Sequence, residues 1–183
     1  MKSLDHPNIL KIDDAIMHEK TMYMFMEFMD GGSLTDIIIN KDRKLKGFNE
    51  NVAAYILYQI ALGLKYLHEN NIIHRDIKSD NILLKRASND VRICDFGYAQ
   101  QLTWEQNMLK SRVGTLNWMA PEIIKGTDLY NHKVDVWSFG ILAIEMGDTL
   151  PPFPGLGQNR VIYNILTKPP PKMKSYMDWS EDF

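Results

Sequence analysis

The sequence predicts an α+β fold in which a small strand-rich piece is followed by a mostly helical lobe. Three observations carry this expectation. Two β-type runs lie near the N-terminus, at Leu10 to Met17 and Thr21 to Phe28. A long stretch after residue 50 repeats apolar residues at helical spacing. Two further apolar segments nearer the C-terminus are long enough for helices and lack strand punctuation.

Taken in order, His18-Glu19-Lys20 reads as the polar turn between the two runs. Met22-Tyr23-Met24-Phe25-Met26 is apolar at every position, the pattern of a strand buried on both faces. Gly31-Gly32 breaks that run. Ser33 starts a short helix, and Ser33 with Asp36 fits a capping box. Lys41 to Phe48 is a charged loop. A long helix follows, from about Glu50 to about Asn70. Its Ala53, Leu57, Ile60, Leu64 and Leu67 recur at steps of four, three, four and three, which places them on one core-facing stripe. Asn70-Asn71 ends it. Ile82 to Lys85 and Val91 to Cys94 are short strands joined by the turn Arg86 to Asp90. Helices are expected again from Val134 to about Met146 and from Gln158 to Leu166.

The 183 residues are 45% hydrophobic and 24% charged, a balance that favours a packed core over disorder. The formal net charge is −2, so no broad basic field points to nucleic acid or anionic membrane. No apolar run is long enough to span a bilayer, and the N-terminus has no secretory pattern. The single cysteine, Cys94, allows no internal disulfide, and a cytoplasmic setting is the simplest reading. Eleven methionines imply adaptable packing and nothing more specific.

Chemistry concentrates after the long helix. Asp76 follows His74-Arg75 in a loop, where a carboxylate can accept a hydrogen bond from a substrate hydroxyl. Lys78, two residues on, can place an ammonium on a phosphate. Asn81, five residues after Asp76, can offer an amide oxygen to Mg2+. Asp95, nineteen residues after Asp76, follows the hairpin that folds the chain back, so it can return to the same site as the main Mg2+ ligand. Taken singly, each residue has an ordinary explanation as a turn former, surface charge or core residue. Order and spacing together are what point to phosphoryl transfer, which needs a positioned nucleophile, metal ions on phosphates and fixed positive charge.

The same residues resemble the eukaryotic protein kinase family, and the resemblance covers nearly the whole chain. His74-Arg75-Asp76, Lys78, Asn81 and Asp95-Phe96-Gly97 match its catalytic motifs. His6 to Leu10 looks like the entry to the family's fourth strand. Met26-Glu27-Phe28-Met29 looks like its gatekeeper and hinge. The resemblance implies that Glu27 and Met29 meet the adenine of ATP through backbone groups, that Met26 limits the pocket behind it, and that Leu83 packs beneath the ring. Ala120-Pro121-Glu122 matches the end of the activation segment, and Asp135 to Gly140 matches the buried helix of the large lobe.

Finer motifs are similar to Ser/Thr kinases, through Asp76 to Asn81, and to the sterile-twenty-like group that includes the p21-activated kinases, through Val113 to Glu122. Leu116-Asn117 departs from that group's usual Pro-Tyr. By resemblance, Thr115 hydrogen-bonds Asp76 and Lys78 and favours a Ser or Thr hydroxyl. Arg75 reads a phosphate placed on the activation segment by an upstream kinase, with Ser111 as its carrier and Thr103 as the weaker candidate. Cys94 faces the nucleotide site and is read as a small buried hydrophobe.

The resemblance further implies a fold built from the remnant of an N-terminal lobe sheet and a mostly helical C-terminal lobe. Residues 1–28 would supply the fourth and fifth strands, and residues 29–183 the hinge, catalytic loop and activation segment. The chain shows no glycine-rich phosphate loop, no strand lysine of the Val-Ala-Ile-Lys type and no Glu partner for it. Met1 would align within the helix that carries that Glu. Trp179 to Phe183 looks like the start of a further helix, and no downstream Arg follows to pair with Glu122. The chain is therefore expected to be incomplete at both ends and nearly inactive by itself. The implied activity is transfer of the terminal phosphate of ATP, with Mg2+, to a Ser/Thr protein hydroxyl. The alternative is an inactive truncated kinase or pseudokinase that acts as a protein-binding module. Metal-dependent hydrolysis by Asp76 and Asp95 would leave the hinge and activation-segment matches unexplained.

Overall fold

The computed structural model describes residues 4–39, 48–103, 105, 108–174, 177 and 179–181. The expectations for Met1, for the charged loop up to residue 47 and for Phe183 lie outside the described residues.

Strands β1 (Ile12–His18) and β2 (Thr21–Met26) form an antiparallel hairpin with Ile16 opposite Tyr23 and His18 opposite Thr21. Glu19 turns the chain at φ 54°. β1 starts two residues later than expected because Leu10 belongs elsewhere: its amide donates to the Ile93 carbonyl at 2.9 Å, and Ile93 donates to Asn8 at 2.9 Å. The expectation that β2 is buried on both faces is wrong. Met22, Met24 and Phe25 are 57%, 52% and 52% exposed. An apolar sequence makes a strand buried only where a second layer covers it, and among the described residues β2 pairs with β1 alone.

β3 (Gly32–Ser33) leads directly into α1 (Leu34–Ile39). The capping box forms: the Ser33 amide donates to Asp36 Oδ2 at 2.8 Å and the Asp36 amide to Ser33 Oγ at 3.2 Å. Helix α2 (Glu50–Glu69) carries the long apolar stripe. Ala53, Ile60, Leu64 and Leu67 are buried and Leu57 packs at the margin, while Ile56 and Gly63 complete the face. Gly63 allows close packing, since a Cβ there would stand 3.0 Å from Ile93 Cδ1 and 3.1 Å from the Asn8 carbonyl.

β4 (Ile72–Ile73), β5 (Ile82–Leu84), β6 (Val91–Ile93) and β7 (Gln100–Gln101) follow. They form a three-stranded sheet of order β3-β5-β6 and a separate β4-β7 pair. The β4-β7 pair was not foreseen, because two-residue strands carry no periodicity. Helices α3 (Pro121–Lys125), α4 (Lys133–Asp148) and α5 (Gln158–Thr167) complete the lobe. The main core joins α2 to Ile77, Ile82, Val91, Ile93, Leu142 and Met146. Residues 179–181 are not helical, contrary to expectation: the Ser180 amide donates at 2.9 Å to Glu50 on α2, and Trp179 packs against the main core.

Candidate active site

The loop from His74 to Asn81 connects β4 to β5, and its shape is imposed by the first turn of α4. Asp135 there is fully buried. Its Oδ2 accepts the His74 amide at 2.9 Å, its Oδ1 accepts the Arg75 amide at 2.8 Å, and His68 Nε2 lies 2.8 Å from Oδ2. These bonds hold Arg75 at φ 69°, a left-handed conformation unfavourable for a residue with a side chain. The His74 ring is buried. Its Nδ1 accepts the Asp76 amide at 3.3 Å, so Nε2 carries the proton and donates to the Cys94 carbonyl at 3.0 Å. Burial pushes the His74 pKa down, against the pull of Asp135 and of that carbonyl, so the ring is held neutral.

Above this base, four of the expected residues converge. The Asp76 side chain is 3% exposed. Thr115 Oγ1 donates to Asp76 Oδ1 at 2.7 Å. Lys78 Nζ lies 3.1 Å from Asp76 Oδ2 and donates to Thr115 Oγ1 at 2.8 Å. Asn81 Nδ2 donates to the Asp76 carbonyl at 2.7 Å and to Oδ2 at 3.0 Å. Thr115 reaches the site because Gly114 precedes it at φ 115°, where a Cβ would stand 2.6 Å from the Arg75 carbonyl.

Asp95 is brought alongside by the Cys94 amide, which donates to the Asn81 carbonyl at 2.9 Å. It is exposed at φ 57°, and its Oδ1 accepts the Gly97 amide at 3.1 Å. Among the described residues no group of three or more His, Cys, Asp or Glu could hold a metal. Mg2+ does not need one, since it commonly takes one or two protein ligands with waters and substrate phosphates. The local chemistry fits that ion: both bonds from Asn81 Nδ2 turn its amide oxygen away from Asp76, leaving it for a cation.

The expected nucleotide-binding residues are less gathered. Met26 pairs with Ile12 at the end of the hairpin and is 41% exposed. The Glu27 carboxylate forms ion pairs with Lys85 and Arg92, and the bond to Lys85 holds its pKa below the usual range. Met29 is buried, and its carbonyl accepts the Gly32 amide at 3.2 Å. Leu83 is half-buried beside a fully buried Ile82, so strand alternation turns it away from the main core. A groove of about 970 Å³ between α1, the start of α2 and the β5-β6 turn includes none of these residues.

Arg75 and Ser111 do meet. Arg75 Nη1 donates to Ser111 Oγ at 2.6 Å and to Tyr130 OH at 3.1 Å, while Nε donates to the Tyr98 carbonyl at 2.6 Å. Tyr130 OH donates to the Ser111 carbonyl at 2.6 Å. Thr103 is exposed. Burial, followed by the nearby Asp95 charge, raises the Cys94 pKa to about 11, so its thiol stays protonated and unreactive at neutral pH. Among the described residues the Glu122 carboxylate has no hydrogen-bond or ion-pair partner.

The sequence reading missed the supporting groups His68, Tyr130 and the carboxylate of Asp135. One signal was available for Asp135: an acid inside an apolar helix must find partners if it is buried.

Comparison with known proteins identifies relatives of the chain. A family model for the protein kinase domain matches residues 1–182. Serine/threonine-protein kinase pakB of Dictyostelium discoideum is 43% identical over all of this chain, which spans 21% of that protein. Serine/threonine-protein kinase pakC of the same organism is 44% identical over all of the chain, which spans 38% of it. Serine/threonine-protein kinase CLA4 of Candida albicans is 45% identical over 95% of the chain, or 18% of its own length.

Proposed function

The chain belongs to the protein kinase family, and from that premise we propose that it transfers the terminal phosphate of ATP to Ser or Thr hydroxyls of a protein substrate. It is a Ser/Thr protein kinase by family, of the kind related to p21-activated kinases, with a kinase-like α+β fold. The observation that carries the reading is the buried Asp76 carboxylate bridged to Thr115 and Lys78.

Asp76 acts as the base. Among the described residues its Oδ1 receives only the Thr115 bond, so a second lone pair there can accept a substrate hydroxyl and aim it. Lys78 Nζ donates to Thr115 Oγ1 and is ion-paired with Asp76, and its remaining N–H capacity can serve a phosphate oxygen. Thr115 fixes the distance between the base and the ammonium. Asn81 and Asp95 are the residues that would hold Mg2+, which when bound offsets the charge on the phosphates. Met26, Glu27, Met29 and Leu83 are assigned to the adenine side.

Residues 1–28 are assigned to the smaller lobe and residues 29–183 to the larger. Arg75 and Ser111 form the regulatory pair, with Ser111 phosphorylated by an upstream kinase. A phosphate there would add nearly two negative charges beside a guanidinium already in contact. Phosphopeptide mapping of active protein should find Ser111 modified; finding it bare removes this part of the reading. No helix among the described residues is long and apolar enough to cross a membrane, and a cytoplasmic location is proposed.

The test is transfer of labelled phosphate from ATP with Mg2+ to a generic protein substrate, comparing the chain with Asp76→Asn. The rate is expected to be low, because the 183 residues contain no glycine-rich loop or strand lysine for the phosphates. Label on Ser or Thr that disappears in Asp76→Asn supports the reading, however slow the transfer. Label that survives the substitution, or none when Mg-ATP is bound, overturns it. The second reading is then a binding module, favoured by the apolar hairpin that exposes Met22 and Phe25 and by the exposed Phe28 just after it.

A further inference from the structure

Helix α4 buries a second acid ten residues after Asp135, about 15 Å further along its axis. Glu145 is 5% exposed, and both of its oxygens are engaged. Oε1 accepts Ser79 Oγ at 2.6 Å, and Oε2 accepts Trp118 Nε1 at 3.0 Å. Ser79 directly follows Lys78, and Trp118 lies three residues after Thr115. The Trp118 carbonyl also accepts Ser138 Oγ of α4 at 2.8 Å. One helix therefore grips the catalytic loop on both sides of Asp76 and Lys78, and the same carboxylate grips the segment that delivers Thr115.

We propose that Glu145 is a positioning residue that couples the catalytic loop to the Thr115 segment through Ser79 and Trp118. The inference rests on the kinase reading only for what the coupled loop does. A carboxylate in this position accepts and cannot donate, so Ser79 gives its proton to Glu145. Ser79 must then accept from Thr35 Oγ1 of α1, 2.6 Å away. The proton order runs from Thr35 to Ser79 to Glu145. Burial pushes the Glu145 pKa up, and the Ser79 and Trp118 bonds pull against that rise by favouring the charged form.

This order makes a prediction that a generic core acid would not share. In Glu145→Gln, the amide oxygen can accept Trp118 while the amide nitrogen donates to Ser79. Ser79 then turns its proton toward Thr35, so the Ser79, Thr35 and Trp118 side chains all remain paired. The Gln variant should therefore be mild, but only while Thr35 is present to accept. In the native order Thr35 is merely a donor, and Thr35→Val leaves the Ser79 bond to Glu145 intact.

Amide hydrogen exchange on the 183-residue chain, without nucleotide, tests the coupling. Glu145→Ala should speed exchange in both segments, 76–81 and 115–119, by about tenfold or more, as expected when a local opening loses its buried hydrogen bonds. The β1-β2 hairpin should be unchanged. Glu145→Gln and Thr35→Val should each stay within about twofold of the parent, and their combination should approach the alanine variant in 76–81 while leaving 115–119, whose Trp118 bond survives, within about twofold. A Gln variant as fast as alanine, an additive double variant, a change confined to α4, or uniform acceleration across the chain would each overturn the proposal. If Glu145→Ala does not fold, Ser79→Ala decides: it should speed 76–81 and leave 115–119 within about twofold, and no change in 76–81 sinks the inference. Because exchange is read without ATP, its failure leaves the transfer reading untouched, and failed transfer leaves this coupling untouched.

Discussion

Replacing Asp135 tests whether a single buried carboxylate shapes the loop from His74 to Asn81. Asp135→Ala removes the acceptor of two buried backbone donors, the His74 and Arg75 amides, held at 2.9 and 2.8 Å. Each buried donor left without a partner costs about 1–3 kcal/mol, or roughly 4 kcal/mol for the pair. Arg75, held at φ 69°, can then relax toward an ordinary conformation, recovering about 1 kcal/mol. The net expectation is a loss of about 3 kcal/mol. Urea unfolding followed by circular dichroism reads this directly. With a slope of about 2 kcal/mol per molar urea, the midpoint should fall by about 1.5 M. Asp135→Asn keeps one acceptor oxygen and presents an amide to the other donor, so its midpoint should fall by a smaller amount. A fall below about 0.3 M for alanine, with an unchanged slope, would refute the argument. So would an asparagine variant as unstable as alanine, because the loss would then not follow from the count of accepted bonds.

Three other outcomes are expected. Tyr130→Phe removes the hydroxyl that donates to the Ser111 carbonyl at 2.6 Å and accepts Arg75 at 3.1 Å, so urea unfolding should show a loss of about 1–2 kcal/mol, reduced but still present when Arg75 is already replaced by Ala, because the Ser111 bond does not involve Arg75. Cys94, with its pKa raised from 9.0 to about 11, should react with iodoacetamide at pH 8 about a hundredfold more slowly in the folded chain than in urea. The same shift means the folded state holds this proton more tightly than the unfolded state. Stability contributed by Cys94 is thus present below pH 9 and lost as pH rises toward about 11, a slope that Cys94→Ser should flatten. Asn49→Ala, which removes the cap accepting the Asn51 amide at 3.0 Å, should lower stability by about 1 kcal/mol, and Asn49→Asp should restore it.

Much of the fold was legible because its signals are local. The stripe on α2 depends only on residues three and four apart, and it became the spine of the main core. The Ser33-Asp36 capping box spans four residues and formed as read. The β5 and β6 strands appeared within one residue of their expected ends. Reading failed where burial depends on a second layer. Met22 to Met26 has the composition of a buried strand, yet the hairpin is exposed along its length. It failed again at Trp179, where a long-range bond to Glu50 on α2 replaced the expected helix.

The candidate site divides along the same line. By itself, the sequence determined which chemistry to look for: the order and spacing of Asp76, Lys78, Asn81 and Asp95 lie along a loop and the hairpin after it, so local chain geometry is enough to bring them near one another. Only the tertiary structure decided what holds them. Asp135 supports the loop, Tyr130 joins Arg75 to Ser111, and Glu145 ties Ser79 to Trp118, from positions 19 to 66 residues away. A carboxylate inside an apolar helix announces that it needs partners. Which donors satisfy it is settled only when helix, loop and the Thr115 segment pack together and water is excluded from between them.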